Sequence, residues 1–198
     1  GRRAYFGTNP ICCSAPREEG EPYCLDMATS VVPWNRVLIH RNSGEPLADD
    51  IAVNSDGNLT TNADEATAIL PTGGYKGYGL ASMIDILCGI YTGMAFGRSI
   101  PAMYKAEMNE QRKLGQFYMV LRTDGVISHD EFINSMQQMT NEVHNEPAIE
   151  GESVILPGDK EIQEAKIRME NGIPLDDATV DAFNKMSEKY NIPIEYIV

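Results

Sequence analysis

The feature that most restricts the fold of this chain is an apolar run, Leu80 to Met94, that follows directly on a glycine-rich loop. The run has 15 residues and contains Asp85, so it is too short and too polar to span a membrane. Because the helix that it predicts is apolar on almost every side, we expect that helix to be buried at the centre of the protein. An unpaired buried carboxylate is costly, so we expect a hydroxyl or a main-chain amide to bind Asp85.

The loop before this helix, PTGGYKGYG at residues 71–79, combines four glycines with one lysine, Lys76. Glycine lets another group approach the main chain closely, at a cost of about 0.5–1 kcal/mol relative to alanine. The spacing fits neither the Walker A loop nor the Rossmann fingerprint. Main-chain amides at a helix N-terminus, the positive end of the helix dipole and one ammonium group still favour an anion. The alternative is a tight structural turn beside a solvated lysine.

The charge and the cysteines exclude several classes of partner. With 16 Lys+Arg against 29 Asp+Glu the formal charge is −13, which repels nucleic acids and anionic membranes over most of the surface. The four cysteines form no CxxC pair and have no histidine at zinc spacing, so no metal site is predicted. The sequence opens with no charged-then-apolar leader, which favours reduced thiols in a cytoplasm.

Local patterns predict the main elements. Two short buried strands joined by an acidic turn are expected within residues 2–28, and a helix is expected to begin near Pro33 and end at Gly44. The Asp56-Gly57 pair predicts a hairpin turn, Asn62 predicts the cap of a brief helix through Ala68, and QFYMVL at 116–121 alternates like a strand. Ser128 and Glu131 form a capping box before an apolar helical stripe. Short pieces are expected after Pro147, namely a strand-like SVILPG at 153–158, a charged helix from Lys160 to Glu170 and a last helix from Ala178 to Tyr190.

Few side chains are candidates for chemistry. His40, His129 and His144 have no arrangement with a serine or cysteine that marks a nucleophile, and we predict solvated surface positions for them. Asp26, in CLDMATS, ends an apolar strand and precedes a helix, where a carboxylate can orient a ring or accept a ligand hydroxyl. The alternative for Asp26 is a plain turn or cap residue.

Several of these stretches occur in the same order in one family of enzymes. The chain resembles the type-2 malate/L-lactate dehydrogenases, a family that includes ureidoglycolate dehydrogenase and diketogulonate reductase. The motifs that carry the resemblance are GTNP at 7–10, LDMATS at 25–30, GGYKGYGL at 73–80 followed by MIDILCG, AFGR at 95–98, LGQF at 114–117, LPGD at 156–159 and NGIPL at 171–175.

The resemblance implies a fold and a cofactor. It implies an α/β fold with a mixed sheet flanked by helices, a family-specific fold that is not the Rossmann fold and that binds NAD or NADP. Residues 1–147 would form the cofactor-binding domain, and residues 148–198 would form a helical segment that packs back on the N-terminal domain. The family is dimeric, with its active site close to the subunit interface.

The resemblance also implies roles for particular residues. Asp26, Met27 and Ala28 match a stretch that contacts the nicotinamide cofactor, and Lys76 matches the lysine beside it. Asn109, Glu110 and Gln111 align with a further cofactor-contacting stretch, which usually differs in residue type. Asp26 is also the candidate to orient a catalytic histidine. Pro33-Trp34-Asn35 departs from the small residues and glycine that relatives tend to carry.

Length separates this chain from the family. Members are considerably longer, and the resemblance implies that the missing part is N-terminal and carries the acid/base histidine and an arginine for the substrate carboxylate. None of the three histidines lies in that histidine's sequence context. The expected function is an NAD(P)-dependent oxidoreductase, here truncated and inactive alone, that interconverts a small 2-hydroxy acid and a 2-oxo acid. The alternatives are a catalytically silent binding or assembly module, acting as a homodimer or with the missing segment, and a protein whose glycine loop is only structural.

Overall fold

The computed structural model describes residues 2–103, 107 and 109–195. Contacts divide the chain into two compact units. The first consists of Gly1–Ala15 and Cys24–Phe132, and the second of Pro16–Tyr23 and Ile133–Val198. The loop between the first two strands therefore belongs with the C-terminal helices. The expected division at residue 147 concerns where a cofactor-binding domain ends, and it stays a prediction.

Small sheets form the β structure of the chain. The strands are β1 (Ile11–Ala15), β2 (Tyr23–Met27), β3 (Ala52–Val53), β4 (Leu59–Thr60) and β5 (Ala68–Ile69). β1 pairs with β2, and β3 lies between β4 and β5. Ala52 of β3 is opposite Thr60 on one side and Ile69 on the other, and both pairings are antiparallel. This sheet is therefore not the expected mixed sheet. β1 and β2 have the predicted positions, but their residues are exposed or half-buried rather than buried.

Helix α1 (Trp34–Ser43) packs on the three-stranded sheet and forms the core of the first unit. It begins after Pro33 and ends at Gly44, as predicted. Proline is tolerated at the start of a helix because its missing N–H would have no partner there. The core cluster consists of Val37, Leu47, Ala52, Ala63 and Ala66, with Trp34, Ile51 and Ile69 packed against it.

The connections of this sheet confirm one prediction and contradict another. The Asp56-Gly57 turn joins β3 to β4, and the Asn54 side chain accepts the N–H of Asp56 at 3.0 Å. The prediction of a brief helix from Asn62 to Ala68 is wrong. Asn62 accepts an N–H two residues ahead at 3.0 Å in a local turn, and Ala68 pairs with β3. Asparagine favours helix caps and turns through the same type of side-chain hydrogen bond. Here the residues after Asn62 lead into a strand of the sheet and do not form a helix.

Helix α2 (Tyr75–Asp85) continues directly into a π-helical segment, Ile86–Ile90, so the long predicted helix is present. The wide turn is visible in the hydrogen bond from the Tyr91 N–H to the Ile86 carbonyl, at 2.7 Å. The prediction that this helix is buried is wrong. Only one narrow stripe is buried, namely Gly77, Ala81, Asp85 and Gly89, at a spacing of four residues.

Helices α3 (His129–His144), α4 (Asp159–Asn171) and α5 (Asp177–Tyr190) follow. The predicted capping box starts α3, since Ser128 and Glu131 exchange hydrogen bonds at 2.9 and 3.2 Å. The strand predicted at 116–121 is wrong. Those residues belong to no sheet in the described part of the chain, and Val120 is 93% exposed. Among the described residues, no helix is long and apolar enough to cross a membrane.

Candidate functional site

The glycine loop is shaped by two different constraints. Gly73 and Gly74 have φ of 59° and 64°, which side chains rarely adopt, and Gly74 is the residue at which α2 begins. Gly77 has ordinary helical geometry, but a Cβ atom there would lie 2.1 Å from the Thr72 carbonyl oxygen and 3.0 Å from that of Thr29. The first turn of α2 therefore packs directly on the main chain of LDMATS.

Thr29, in that motif, joins three of the sequence motifs. Its side chain is almost fully buried, and its hydroxyl donates to the carbonyls of Thr8 at 2.9 Å and Asn9 at 3.2 Å. Its own N–H donates to the Thr8 carbonyl at 2.8 Å, and its carbonyl accepts the Thr72 N–H at 2.9 Å. GTNP, LDMATS and the glycine loop, which are distant in sequence, thus meet at one buried threonine.

Asp85 ties the same motifs to the segment AFGR. Its carboxylate accepts the Asn9 side-chain amide at 3.2 Å and the Gly97 main-chain N–H at 2.9 Å. Asn9, which has a positive φ of 32°, also donates to the Ala81 carbonyl at 2.8 Å. The expected binding of Asp85 by a main-chain amide is confirmed. Next to it, Gly89 packs on Phe96, where a Cβ atom would meet the Phe96 Cβ at 2.8 Å.

Four of the residues expected to contact a cofactor lie in or beside the segments that Thr29 joins. Asp26 is exposed near the end of β2, followed by half-buried Met27 and Ala28. Lys76 is exposed in the first turn of α2, and no carboxylate in the described ranges lies within 4.0 Å of its ammonium group. Since Thr29 and Thr72 are hydrogen-bonded, the chain segments that carry Asp26 and Lys76 run past each other at that point.

The third predicted stretch is less clearly placed. Asn109, Glu110 and Gln111 are exposed, and no hydrogen bond or ion pair among the described residues joins them to the glycine loop. The nearest anchors are later in the chain. The Lys113 carbonyl accepts the Ala95 N–H at 3.3 Å, and Gly115 packs against the Cys88 carbonyl of the π-helical segment.

A large apolar surface surrounds the start of α2 and continues along it. Tyr75 is 82% exposed and Tyr91 is 75% exposed, and several apolar side chains between them are about half exposed, including Tyr78, Met83, Ile86 and Ile90. We call these six residues the α2 apolar face. Where exposed apolar side chains adjoin one another, they mark an interaction site or a ligand groove more often than ordinary surface does.

A second polar cluster lies within the C-terminal unit. The Asp159 carboxylate pairs with Arg17 at 3.2 Å, accepts from His144 at 2.6 Å and accepts the Leu156 N–H at 2.7 Å. Burial raises the pKa of Asp159, but these hydrogen bonds outweigh burial and hold that pKa below the usual value. No sequence pattern indicated this cluster. His144 is exposed, as predicted, and its ring is also hydrogen-bonded to Asp159.

The surface also has a concavity away from the glycine loop. A concavity of about 280 Å³ lies between the end of α1 and residues 61–64, lined by His40, Arg41 and Glu45 among others. None of the predicted cofactor residues lines it. In the described ranges, no group of three or more His, Cys, Asp or Glu residues is placed to hold a metal ion.

The fold and the motif cluster together define a class of protein. The model of the malate/L-lactate dehydrogenase family matches residues 1–184. The chain belongs to this family.

Individual relatives agree with the family model. The NAD(+) ureidoglycolate dehydrogenase of Escherichia coli K12 is 36% identical over 179 residues, which are 89% of this chain and 51% of that protein. A malate dehydrogenase of Pyrococcus abyssi is 31% identical over 203 residues, which are 97% of this chain and 55% of that protein. The chain thus spans about half the length of these relatives.

A solved structure has the same fold. The malate dehydrogenase of Entamoeba histolytica superposes with a TM-score of 0.87 at 23% identity, over 99% of this chain and 58% of that one. At this level of identity the likeness shows the fold alone.

Sequence reasoning missed two residues that build the site. Asn9 and Thr29 lie inside the motifs that carried the family resemblance, yet no role was assigned to them. A signal was present for Asn9 in the sequence, because asparagine directly before proline favours a turn. For Thr29 the sequence offers only the motif itself, since burial of a threonine depends on the two segments that close over it.

Proposed function

We propose that this chain supplies the nicotinamide-binding part of an NAD(P)-dependent dehydrogenase that interconverts a small 2-hydroxy acid and the corresponding 2-oxo acid. One observation carries the proposal. The chain gathers the end of LDMATS and the glycine loop at Thr29, and this leaves Asp26 and Lys76 exposed on neighbouring segments. Family membership and the names of the relatives support the reaction class.

The residues fit a dinucleotide in their chemistry. In the first turn of α2, Lys76 offers an ammonium group that has no carboxylate partner among the described residues. The helix dipole also favours negative charge there, so a phosphate group suits this position. The glycines before it remove side chains that would otherwise keep a ligand away from the main chain. When bound, the nicotinamide group would supply the hydride transfer, which no amino-acid side chain can perform.

The protein's own residues have the tasks of binding and orientation. Lys76 holds the cofactor, and Met27 and Ala28 provide the apolar wall beside it. Asp26 is the candidate to orient an acid/base histidine, because a carboxylate that accepts the ring N–H fixes the tautomer and the direction of the ring. We further propose that this histidine lies in a segment outside the 198 residues, and that the chain alone binds cofactor without turnover.

The test is a titration of the purified chain with NADH, followed by the fluorescence of the reduced nicotinamide. Lys76→Ala should weaken binding about tenfold or more, because a charge-assisted hydrogen bond contributes about 1.5–3 kcal/mol. Lys160→Ala is the matched control, since Lys160 is also exposed and is also the second residue of its helix. Affinity of Lys76→Ala within about twofold of the unaltered chain, below the effect of one such bond, would remove Lys76 from the site.

A second candidate function is a silent assembly module, and the α2 apolar face favours it. Six large apolar or aromatic side chains on one helix are exposed in the described structure, which is unusual for a chain that acts alone. The partner would be a second copy or the rest of the family fold. Absence of NADH binding, together with dimers that appear with rising concentration in sedimentation velocity, would favour this function over the dehydrogenase.

A further inference from the structure

Main-chain pairing holds the glycine loop up to Thr72 but does not orient the helix that follows. The Val31 N–H, just after LDMATS, donates to the Leu70 carbonyl at 3.0 Å, and the Thr72 N–H donates to the Thr29 carbonyl at 2.9 Å. The next two residues are glycines with φ of 59° and 64°. Because glycine adopts many backbone conformations, the pairing before the loop leaves the orientation of α2 undetermined.

Asn9 makes directed contacts with α2. Its side-chain amide donates to the Ala81 carbonyl at 2.8 Å and to the Asp85 carboxylate at 3.2 Å, one turn apart on the helix. Its main-chain carbonyl accepts the Thr29 hydroxyl at 3.2 Å. Within the described ranges, no other residue forms hydrogen bonds both with LDMATS and with α2. Since hydrogen bonds have a preferred direction and the packing at Gly77 does not, Asn9 can set how the helix is rotated.

The backbone of Asn9 is itself unusual. Its φ of 32° lies in the left-handed region, which residues other than glycine seldom adopt. Such a conformation persists only where the surrounding structure fixes it, and it is found preferentially at functional sites. Here the main chain is fixed by Thr29, which donates its N–H to the Thr8 carbonyl at 2.8 Å and its hydroxyl to the carbonyls of Thr8 and Asn9.

We propose that Asn9 is a positioning residue of the cofactor site, which fixes the rotation of α2 about its axis and thereby the direction of Lys76. This inference rests on the proposed function. Side chains extend about 5–6 Å from a helix axis, so a rotation of about 20° would move the end of a side chain by about 2 Å. A hydrogen bond to a phosphate group is lost at such a displacement. Asn9 therefore acts on the cofactor through Lys76.

The experiment titrates NADH into the complete chain and into Asn9→Gly. Glycine accepts the left-handed backbone, so this change removes the amide without adding strain. We expect binding to weaken about tenfold, the loss expected of Lys76→Ala, and a change within about twofold overturns the proposal. Asn9→Ser keeps one donor and should give an intermediate loss, which provides a measurement if Asn9→Gly does not fold.

A double-mutant cycle separates positioning from a general loss of structure. In the Lys76→Ala background, Asn9→Gly should weaken binding by less than about twofold more, because the group that it positions is gone, and additive losses would overturn the proposal. Asn54→Gly is the matched control. The Asn54 side chain accepts the N–H groups of Asp56 at 3.0 Å and Asn58 at 3.1 Å, in a sheet turn of the same unit. This control should lose stability and keep its NADH affinity, and an equal loss of affinity in both variants would also overturn the proposal.

A measurement without cofactor separates this proposal from the proposed function. Residual dipolar couplings of the main-chain N–H groups report the orientation of α2 relative to α1, which lies in the same unit. In Asn9→Gly the couplings of α2 should change while those of α1 stay the same, and unchanged couplings in α2 overturn the role of Asn9. Changed couplings with unchanged NADH affinity overturn the link to Lys76. If the unaltered chain does not bind NADH, the proposed function fails, and the couplings still decide whether Asn9 orients the helix.

Discussion

Replacing Asp85 by alanine should strongly destabilise the first unit. The carboxylate binds the Gly97 N–H at 2.9 Å and the Asn9 amide at 3.2 Å, and it is almost completely buried. Hydrogen bonds to a charged group contribute about 1.5–3 kcal/mol each, and a buried N–H left without a partner costs a similar amount. Asn9 keeps its bond to the Ala81 carbonyl, so we expect a total loss of about 3 kcal/mol.

Urea unfolding followed by tryptophan fluorescence measures this loss. Trp34 is the single tryptophan of the chain and lies in the same unit as Asp85. With a slope of about 2 kcal/mol per molar urea, the midpoint of Asp85→Ala should fall by about 1.5 M. Asp85→Asn keeps one acceptor oxygen and should fall by about half as much, which provides a measurement even if the alanine variant does not fold.

The control for this experiment is Ser82→Ala, one turn earlier on the same helix. Ser82 makes only a local hydrogen bond to the Gly79 carbonyl at 2.7 Å, so its loss should change stability by less than about 0.5 kcal/mol. If the midpoints of Asp85→Ala and the unaltered chain agree within about 0.3 M, Asp85 does not hold the GTNP and AFGR segments on α2. The interpretation of those motifs as parts of one framework would then fail.

Other changes test the packing and the charges. Gly77→Ala should destabilise the first unit by about 3 kcal/mol in thermal unfolding, because the new methyl group would lie 2.1 Å from a carbonyl oxygen. In Gly79→Ala the methyl group meets nothing within 4 Å, so this change should be neutral or stabilising in the same assay. Val37→Ala should lower the free energy of unfolding in urea by about 2 kcal/mol, since Val37 is fully buried in the core. The pKa of Asp159 is lowered on folding, so its contribution is present above the ordinary aspartate pKa and is lost as pH falls through the folded value. The urea midpoint should therefore fall more steeply between about pH 5 and pH 3 in the unaltered chain than in Asp159→Asn, and parallel curves would contradict this.

Local signals in the sequence were reliable where the structure is local. Pro33 and Gly44 set both ends of α1, and the Ser128–Glu131 capping box sets the start of α3. Each of these depends on a hydrogen bond or a dihedral angle within a few residues of the motif. Such signals act in the same way whatever the rest of the chain does.

Predictions that depend on a distant partner were less successful. The alternation in residues 116–121 satisfies the pattern of a strand, but a strand forms only where another strand pairs with it. The hydrophobicity of α2 predicts a helix that is covered on most sides, but the described part of this chain leaves many of its apolar side chains exposed. The ion pair between Arg17 and Asp159 could not be predicted either, because the two residues are 142 positions apart in sequence.

The candidate site was predictable only in outline. The motifs identified the segments, and family membership supports the type of reaction. That Thr29 and Asp85 join those segments follows from hydrogen bonds between residues 12 to 76 positions apart, which composition and spacing do not reveal.

The π-helical turn at Ile86–Ile90 also bears on how this helix can change over evolutionary time. Removing one residue there would restore a regular helix and improve its hydrogen bonding, yet it would rotate everything beyond the deletion by about 100°. Gly89 would then no longer face Phe96, and a residue with a side chain would take its position in this close contact. Lineages that keep the AFGR contact are therefore expected to retain the extra residue, and a gap in an alignment at this point would identify relatives that have rebuilt the contact.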